Sequence, residues 1–314
     1  VLREKVWDIA SSGTRFKAGL FHVPLRHDEG RSVWRLAMAP PGRLYERAER
    51  PPAPVALGPL WHLDGERTCF IGPLTYNAPH QHGAPVFLAG IYHAFGLRIA
   101  GGTWRSCRTA VIPAGVVHEL DVGGNPIAVL YIEPTLEGAS TLAALTAPTE
   151  ETDGALVGTG GEIAVMRELW ETAGSVDFAG AALDDLLGFA TRHARRHMDP
   201  RIALALAALE TADGPASVTA ACAQAGLSPS RFQHLFTQEV GVPFRRYRAW
   251  MRMRAAIAAV ADGASFTHAA HEAGFFDQAH FGHDFRRTFG APPSWSLDGV
   301  RLSKNAARRR IVTN

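Results

Sequence analysis

Lysine is nearly missing from this chain, standing only at positions 5, 17 and 304, so arginine supplies almost all of the positive charge. Cysteine is scarce as well. Cys69, Cys107 and Cys222 are too far apart in sequence to form a disulfide framework. No apolar run approaches the length needed to span a bilayer, and no leader pattern is visible, so no membrane partner is expected and the cytoplasm is the expected compartment. A large excess of either charge is lacking too: the formal net charge is +2, too small to mark a nucleic-acid binder by itself. Any such function must be read from local clustering.

What is present is ordinary for a globular protein, with 46% hydrophobic and 20% charged residues over 314 positions, enough for two domains with separate cores. Residues 1–58 have no sustained period and end in Arg50-Pro51-Pro52-Ala53-Pro54, which reads as a weakly ordered extension. Residues 59–136 have a β texture. Short runs such as Val86-Phe87-Leu88, Ala110-Val111-Ile112 and Ile127 to Ile132 are separated by the turn signals Ala100-Gly101-Gly102, Pro113-Ala114-Gly115 and Gly123-Gly124-Asn125-Pro126. Residues 137–198 read as a linker, a Thr/Ala/Gly-rich loop to Gly161 followed by helices over 162–172 and 178–197 that could pack on the β-domain or on a second copy of the chain. Residues 199–300 read as all-helical, opened by Asp199 as N-cap and Pro200 at the first helical position. Residues 301–314 form a basic tail.

Within the helical region one pattern occurs twice. Gly226 and Gly274 each sit where the turn between two helices demands positive φ, and Cys222 and Ala270 stand four residues earlier, where the helices must cross closely. Cys222 is therefore read as a small buried hydrophobe. Ser217 and Ser265 are N-cap candidates for the supporting helices, and Ser228 and Asp277 for the helices that follow. Phe232 and Phe236 in the first unit, and Phe281 and Phe285 in the second, are spaced i, i+4 as a buried stripe requires. The opposite faces then offer Ser230, Arg231, Gln233 and His234, and Gln278, Ala279, His280 and His283, to base edges of double-stranded DNA. A long helix between the units carries Arg245, Arg246, Arg248, Arg252 and Arg254. Arg245, Arg246 and Arg248, with Arg286 and Arg287, are candidate phosphate contacts.

The stretches Gly226 to Phe232, Glu239 to Gly241, Phe244 to Tyr247, Gly274-Phe275, Asp277-Gln278, Phe285 to Gly290 and Pro292 to Ser294 resemble the AraC/XylS family of bacterial transcription regulators. The resemblance implies an α+β protein: an N-terminal cupin-like β-barrel that binds a small-molecule effector, a helical linker, and a C-terminal all-α tandem helix-turn-helix domain. It implies gene regulation, more often activation through RNA polymerase, and no enzyme activity. A homodimer stays open. The family often has arginine where this chain has His234 and His283, so weaker contact is expected there.

His80-Gln81-His82 and Pro113-Ala114-Gly115-Val116-Val117-His118 are similar to the two cupin motifs. His80, His82, His118, Arg98 and Tyr131 are the candidate effector-pocket residues. Three imidazoles could also hold a divalent metal. Metal-binding cupins add a glutamate after the first motif, however, and Gly83 to Leu88 has none. Glu119, Glu133, His93 and Cys107 are the substitutes. No cofactor is therefore expected, and a metal-sensing or metal-dependent cupin protein with a DNA-binding appendage stands as the alternative.

Overall fold

The computed structural model describes residues 22–24, 34–36, 57–64, 67–133, 139–192, 198–211, 217–297 and 299–304. Residues 1–56 and 57–314 are separate units. In the first, β1 (His22–Pro24) pairs antiparallel with β2 (Trp34–Leu36), and the rest of the expected extension lies outside the described residues.

The second unit is mixed α+β, with a sheet-rich N-terminal part and a helical C-terminal part. Its strands are β3 (Leu60–Leu63), β4 (Arg67–Pro73), β5 (Tyr76–His80), β6 (Val86–Gly90), β7 (Phe95–Ile99), β8 (Arg105–Cys107), β9 (Thr109–Ile112), β10 (His118–Asp121), β11 (Pro126–Ile132), β12 (Thr146–Thr152), β13 (Ala155–Gly161) and β14 (Arg301–Lys304). They form a four-stranded sheet in the order β5-β10-β7-β8 and an eight-stranded sheet in the order β12-β13-β9-β6-β11-β4-β3-β14.

The apolar run of β11 explains why the large sheet is covered on both sides. Successive side chains of a strand point to opposite faces. Ile127, Val129 and Tyr131 enter the core shared with the small sheet, while Ala128, Leu130 and Ile132 enter a second core on the outside. That outer core is closed by Met166 and Leu169 of α2 (Ala164–Glu171) and by Leu183, Leu186 and Leu187 of α3 (Ala179–Arg192). The two linker helices thus use their apolar faces within the chain. The small sheet has one wet face: along β7, Phe95, Leu97 and Ile99 are buried and Arg98 is half-exposed.

Two segments differ from the sequence reading. The Thr/Ala/Gly-rich stretch before Gly161 is not a plain loop. After α1 (Ala139–Leu142) and a 3-10 turn, it forms the β12–β13 hairpin, joined to β9 through Leu156↔Val111 and Val157↔Ala110. The start of the basic tail is also structured. β14 pairs parallel with β3, and the Arg301 guanidinium donates to the carbonyls of Gly58, Trp170 and Thr172, collecting chain ends that would otherwise be orphaned.

The helical part comprises α4 (Pro200–Thr211), α5 (Val218–Ala225), α6 (Pro229–Val240), α7 (Phe244–Ala261), α8 (Phe266–Glu272), α9 (Gln278–Phe289) and α10 (Ser294–Leu297). Among the described residues no helix is long and apolar enough to cross a membrane. The two turn glycines adopt φ of +61° (Gly226) and +77° (Gly274), the left-handed region expected of them. Cys222 and Ala270 are buried at the crossings. Ser228, Ser265 and Asp277 accept capping bonds from the amides of Arg231, His268 and His280, whereas Ser217 makes no side-chain cap.

Candidate functional site

The helix pairs α5–α6 and α8–α9 are the two helix-turn-helix units. In α6, Phe232, Phe236 and Val240 are buried, and in α9 Phe281, Phe285 and Phe289 repeat that spacing. Recurrence at i, i+4, i+8 confines the apolar stripe to one side of each helix. Ser230, Arg231, Gln233, His234, Gln278, Ala279, His280 and His283 are all exposed, as a reading face requires. They are not equally free. The Gln278 carbonyl oxygen accepts from the Thr267 hydroxyl at 2.9 Å. The Phe276 amide donates to His280 Nδ1 at 3.3 Å, and His280 Nε2 lies 3.6 Å from Asp284. Among the described residues, no comparable side-chain hydrogen bond holds Ser230, Arg231, Gln233 or His234.

α7 joins the units and is about 27 Å long at 1.5 Å per residue. Its arginines have divided roles. Arg245 and Arg246 are exposed and Arg248 is half-buried. With Arg252 and Arg287, the first two line a cleft of about 400 Å³. Burial, then the charges of Arg287 and Arg245, lower the pKa of Arg246, a crowding of like charge that an anion would relieve. Arg286 and Arg287 are exposed on α9, where Arg287 pairs with Asp284 at 3.0 Å. Arg252 donates to the Gly274 carbonyl and stacks on Phe275, so it braces the second turn. Arg254 turns inward and binds Glu133, Thr68 and the Asp64 carbonyl, which removes it from any DNA-facing set.

That inward face of α7 seats the helical part on the sheets. Tyr247, Trp250 and Arg254 fall on one stripe and converge on the buried Glu133: Tyr247 donates to Oε2 at 2.7 Å, and Trp250 and Arg254 donate to Oε1 at 3.2 and 2.5 Å. α9 is seated at its C-terminal end. The last carbonyls of a helix need outside donors. Here Asn77 Nδ2 donates to the Phe289 carbonyl at 2.7 Å and the Ala78 amide to the Gly290 carbonyl at 3.0 Å. Gly290 has φ +72° and lies against β5 so closely that a Cβ there would overlap the Ala78 carbonyl oxygen.

Beneath this seat is a cavity of about 40 Å³, room for a few waters. Its walls include Trp61, Phe70, His80, His82, Tyr131 and, from α9, Phe285 and Phe289. His80, His82 and His118 meet with ring centroids 4.2–4.9 Å apart, all three buried. His80 Nδ1 lies 2.7 Å from the Ala78 carbonyl and His118 Nδ1 lies 3.0 Å from that of Val116. A carbonyl only accepts, so both Nδ1 atoms carry the proton and both Nε2 atoms present lone pairs. Burial lowers the pKa of His118 from 6.5 to about 4. Burial, reinforced by neighbouring imidazoles, also holds His80 and His82 well below 6.5.

The sign of the resulting pH dependence is fixed. Below pH 6.5 the unfolded chain takes up a proton that folded His118 refuses, so its contribution is complete above 6.5 and is lost as pH falls towards 4. The loss should be about 3 kcal/mol for this group. Urea unfolding at pH 7 and pH 4.5 checks it, and His118→Gln should reduce the dependence while leaving the part that His80 and His82 contribute.

Tyr131, His80, His82 and His118 are therefore brought together as expected, but Arg98 is not. It sits on the outer face of the small sheet, paired with Glu119 and stacked on Trp104, because β7 alternation points Leu97 and Ile99 inward instead. Nor do the substitute metal ligands join the histidines. Glu119 is held by Arg98 and Tyr76, Glu133 by α7, Cys107 faces the Phe95 carbonyl, and His93 is exposed. Asn77 and Phe289 were missing from the sequence-based set. Phe289 had a signal, as the third member of the α9 stripe; Asn77 had none.

The helix-turn-helix domain family matches residues 221–295, which runs from α5 to the start of α10. The C-terminal domain is an AraC-type helix-turn-helix domain. About three quarters of the chain has a counterpart as well. ToxT from Vibrio cholerae, solved with an unsaturated fatty acid bound, aligns with a TM-score of 0.51 at 13% identity, covering 74% of this chain and 95% of that one. An apo variant of ToxT aligns with a TM-score of 0.50 at 14% identity, covering 74% and 96%. No curated protein matches the chain. At such identity the likeness is one of fold, and it spans both the sheets and the AraC-type domain.

Proposed function

We propose that this chain is a sequence-specific transcription regulator, an activator acting with RNA polymerase, whose second reading helix is controlled by a small molecule bound in the cavity beneath that helix. The observation that carries this reading is the dual role of α9. Its N-terminal turns present Gln278, Ala279 and His283 to solvent, while Phe285 and Phe289 wall the cavity. A cavity of about 40 Å³ is too small for an organic effector of any size. Such a ligand must displace Phe289 or the α9 seat on β5, so it distinguishes two positions of the helix, as any effector must. The mostly apolar walls suit a compact molecule with an apolar body. The buried apolar faces of α2 and α3 are used within the chain, so a dimer would have to form on their exposed faces or on another surface.

In α6 and α9 the reading residues specify, and the arginines Arg245, Arg246, Arg248, Arg286 and Arg287 position the protein on the backbone. If all five neutralise phosphates, the logarithm of affinity for duplex DNA should fall with the logarithm of salt at a slope of about −4.5. Fluorescence anisotropy on duplexes selected from a random pool measures both the slope and the sequence preference. A flat salt response, or equal affinity for selected and scrambled duplexes, would overturn the reading.

A further inference from the structure

We propose that the cleft between α7 and α9 is a binding site for a small polyanion, a compact molecule that bears several phosphate or carboxylate groups. Three elements build its walls. α7 supplies Arg245, Arg246 and Arg252, α9 supplies Arg287, and the turn between β5 and β6 supplies Gln81 and Gly83. Gly83 packs so closely on α7 that a Cβ there would overlap the Trp250 side chain, which makes the turn a fixed wall. The volume of about 400 Å³ is that of sites holding small molecules. The charge inside is unbalanced. Arg287 is paired with Asp284, and Arg252 is committed to the Gly274 carbonyl and the Phe275 ring. Among the described residues no carboxylate pairs with Arg245 or Arg246, and Asp284 is the sole acidic side chain on the walls. Four guanidinium groups thus share one carboxylate.

The chemistry of the walls selects the ligand. A guanidinium presents a planar fork that matches the oxygens of phosphate and carboxylate bidentately. Forks arriving from two helices favour a molecule with more than one anionic group over a monovalent ion, and the Gln81 amide can donate from the sheet side. The lowered pKa of Arg246, caused by burial first and then by Arg287 and Arg245, agrees with cations held together without enough counter-charge. A duplex carries its phosphates on the outside of a wide rod, whereas this cleft is walled on one side by the sheet part, so a small molecule fills it better. Arg245, Arg246 and Arg287 are exposed enough to turn outward to a DNA backbone as well, so ligand and duplex compete for them. That consequence rests on the regulator reading above. Occupancy of the cleft does not.

The test is isothermal titration calorimetry of the full chain in dilute buffer free of phosphate, with pyrophosphate, citrate and acetate as probes. Pyrophosphate or citrate should saturate a single site per chain, the tighter of the two naming the ligand's charged group, and acetate should bind far more weakly. Arg246→Gln should weaken the binding about tenfold or more, the loss expected of one charge-assisted hydrogen bond. Gln81→Glu, which adds a carboxylate on the sheet side of the cleft, should do the same. Arg105→Gln, which removes an exposed arginine of the small sheet, should leave the binding intact. Binding that does not saturate, acetate as tight as pyrophosphate, or equal losses in Arg105→Gln and Arg246→Gln overturns the proposal. Should the cleft variants fold poorly, the wild type decides: pyrophosphate should raise its midpoint of thermal unfolding above that in acetate of equal ionic strength, and equal midpoints overturn the site. Pyrophosphate should also displace a selected duplex. A chain that binds duplex DNA but no polyanion refutes this proposal and leaves the regulator reading standing; one that binds pyrophosphate but no duplex does the reverse.

Discussion

Glu133→Ala is expected to lower the unfolding free energy by roughly 3–5 kcal/mol, the cost typical of removing one partner from a buried ion pair. The carboxylate is 2% exposed and takes bonds from three α7 side chains, Tyr247, Trp250 and Arg254. Alanine would take from the Tyr247 phenol and the Trp250 indole the acceptor they share, and the loss of such a bond at a buried donor is worth about 1–3 kcal/mol. Arg254 retains the Asp64 carbonyl and the Thr68 hydroxyl, so the lower half of the range is the better expectation. Glu133→Gln keeps one acceptor oxygen but loses the charge and turns the other oxygen into an NH2 donor, and should cost about half as much. Urea unfolding of both variants at pH 7 makes the comparison. A change below about 1 kcal/mol for alanine would mean that α7 is not seated on the sheets in solution, since desolvation is what makes the pair costly to break.

The Glu133 network also shows how much the sequence could disclose. Arg254 looked like one more arginine on a basic helix. Helical spacing, however, places residues 247, 250 and 254 on one stripe, and two of those three are large aromatics, so an inward Arg254 was open to inference. The same holds for Arg98, which alternation along β7 turns away from Leu97 and Ile99. The His80 and His82 pairing was legible because a period of two puts both on one side of an extended segment, and the turn glycines because few other residues tolerate their φ. The β12–β13 hairpin was obscured for a physical reason: it is an edge hairpin with Pro148 to Glu151 exposed, so its residues lack the apolar alternation that marks a strand. The seat of α9 was beyond reach. It depends on Asn77 meeting the Phe289 carbonyl across 212 positions, and nothing around Asn77 advertises a partner so distant.

Arg231→Ala combined with Gln233→Ala should reduce affinity for a selected duplex by some 30-fold to 10⁴-fold, because each well-made base contact is worth about 1–3 kcal/mol. These two side chains stand on the exposed face of α6, opposite Phe232 and Phe236, whose burial fixes the helix against rolling. The change should act mainly on preference: affinity for scrambled duplexes should fall far less, and Gln233→Ala alone should leave the salt slope unaltered. Arg286→Ala should behave in the opposite way, weakening all duplexes alike and reducing the salt slope by about one. The second helix should respond less than the first. Gln278 is held by Thr267 and the His280 ring by the Phe276 amide, so Gln278→Ala removes a side chain already committed within the protein. Binding isotherms for the four variants at two salt concentrations separate these roles. If the α6 double variant changed the salt slope by about one and left sequence preference intact, α6 would be a backbone-gripping helix, and the reading of bases would have to be assigned to α9.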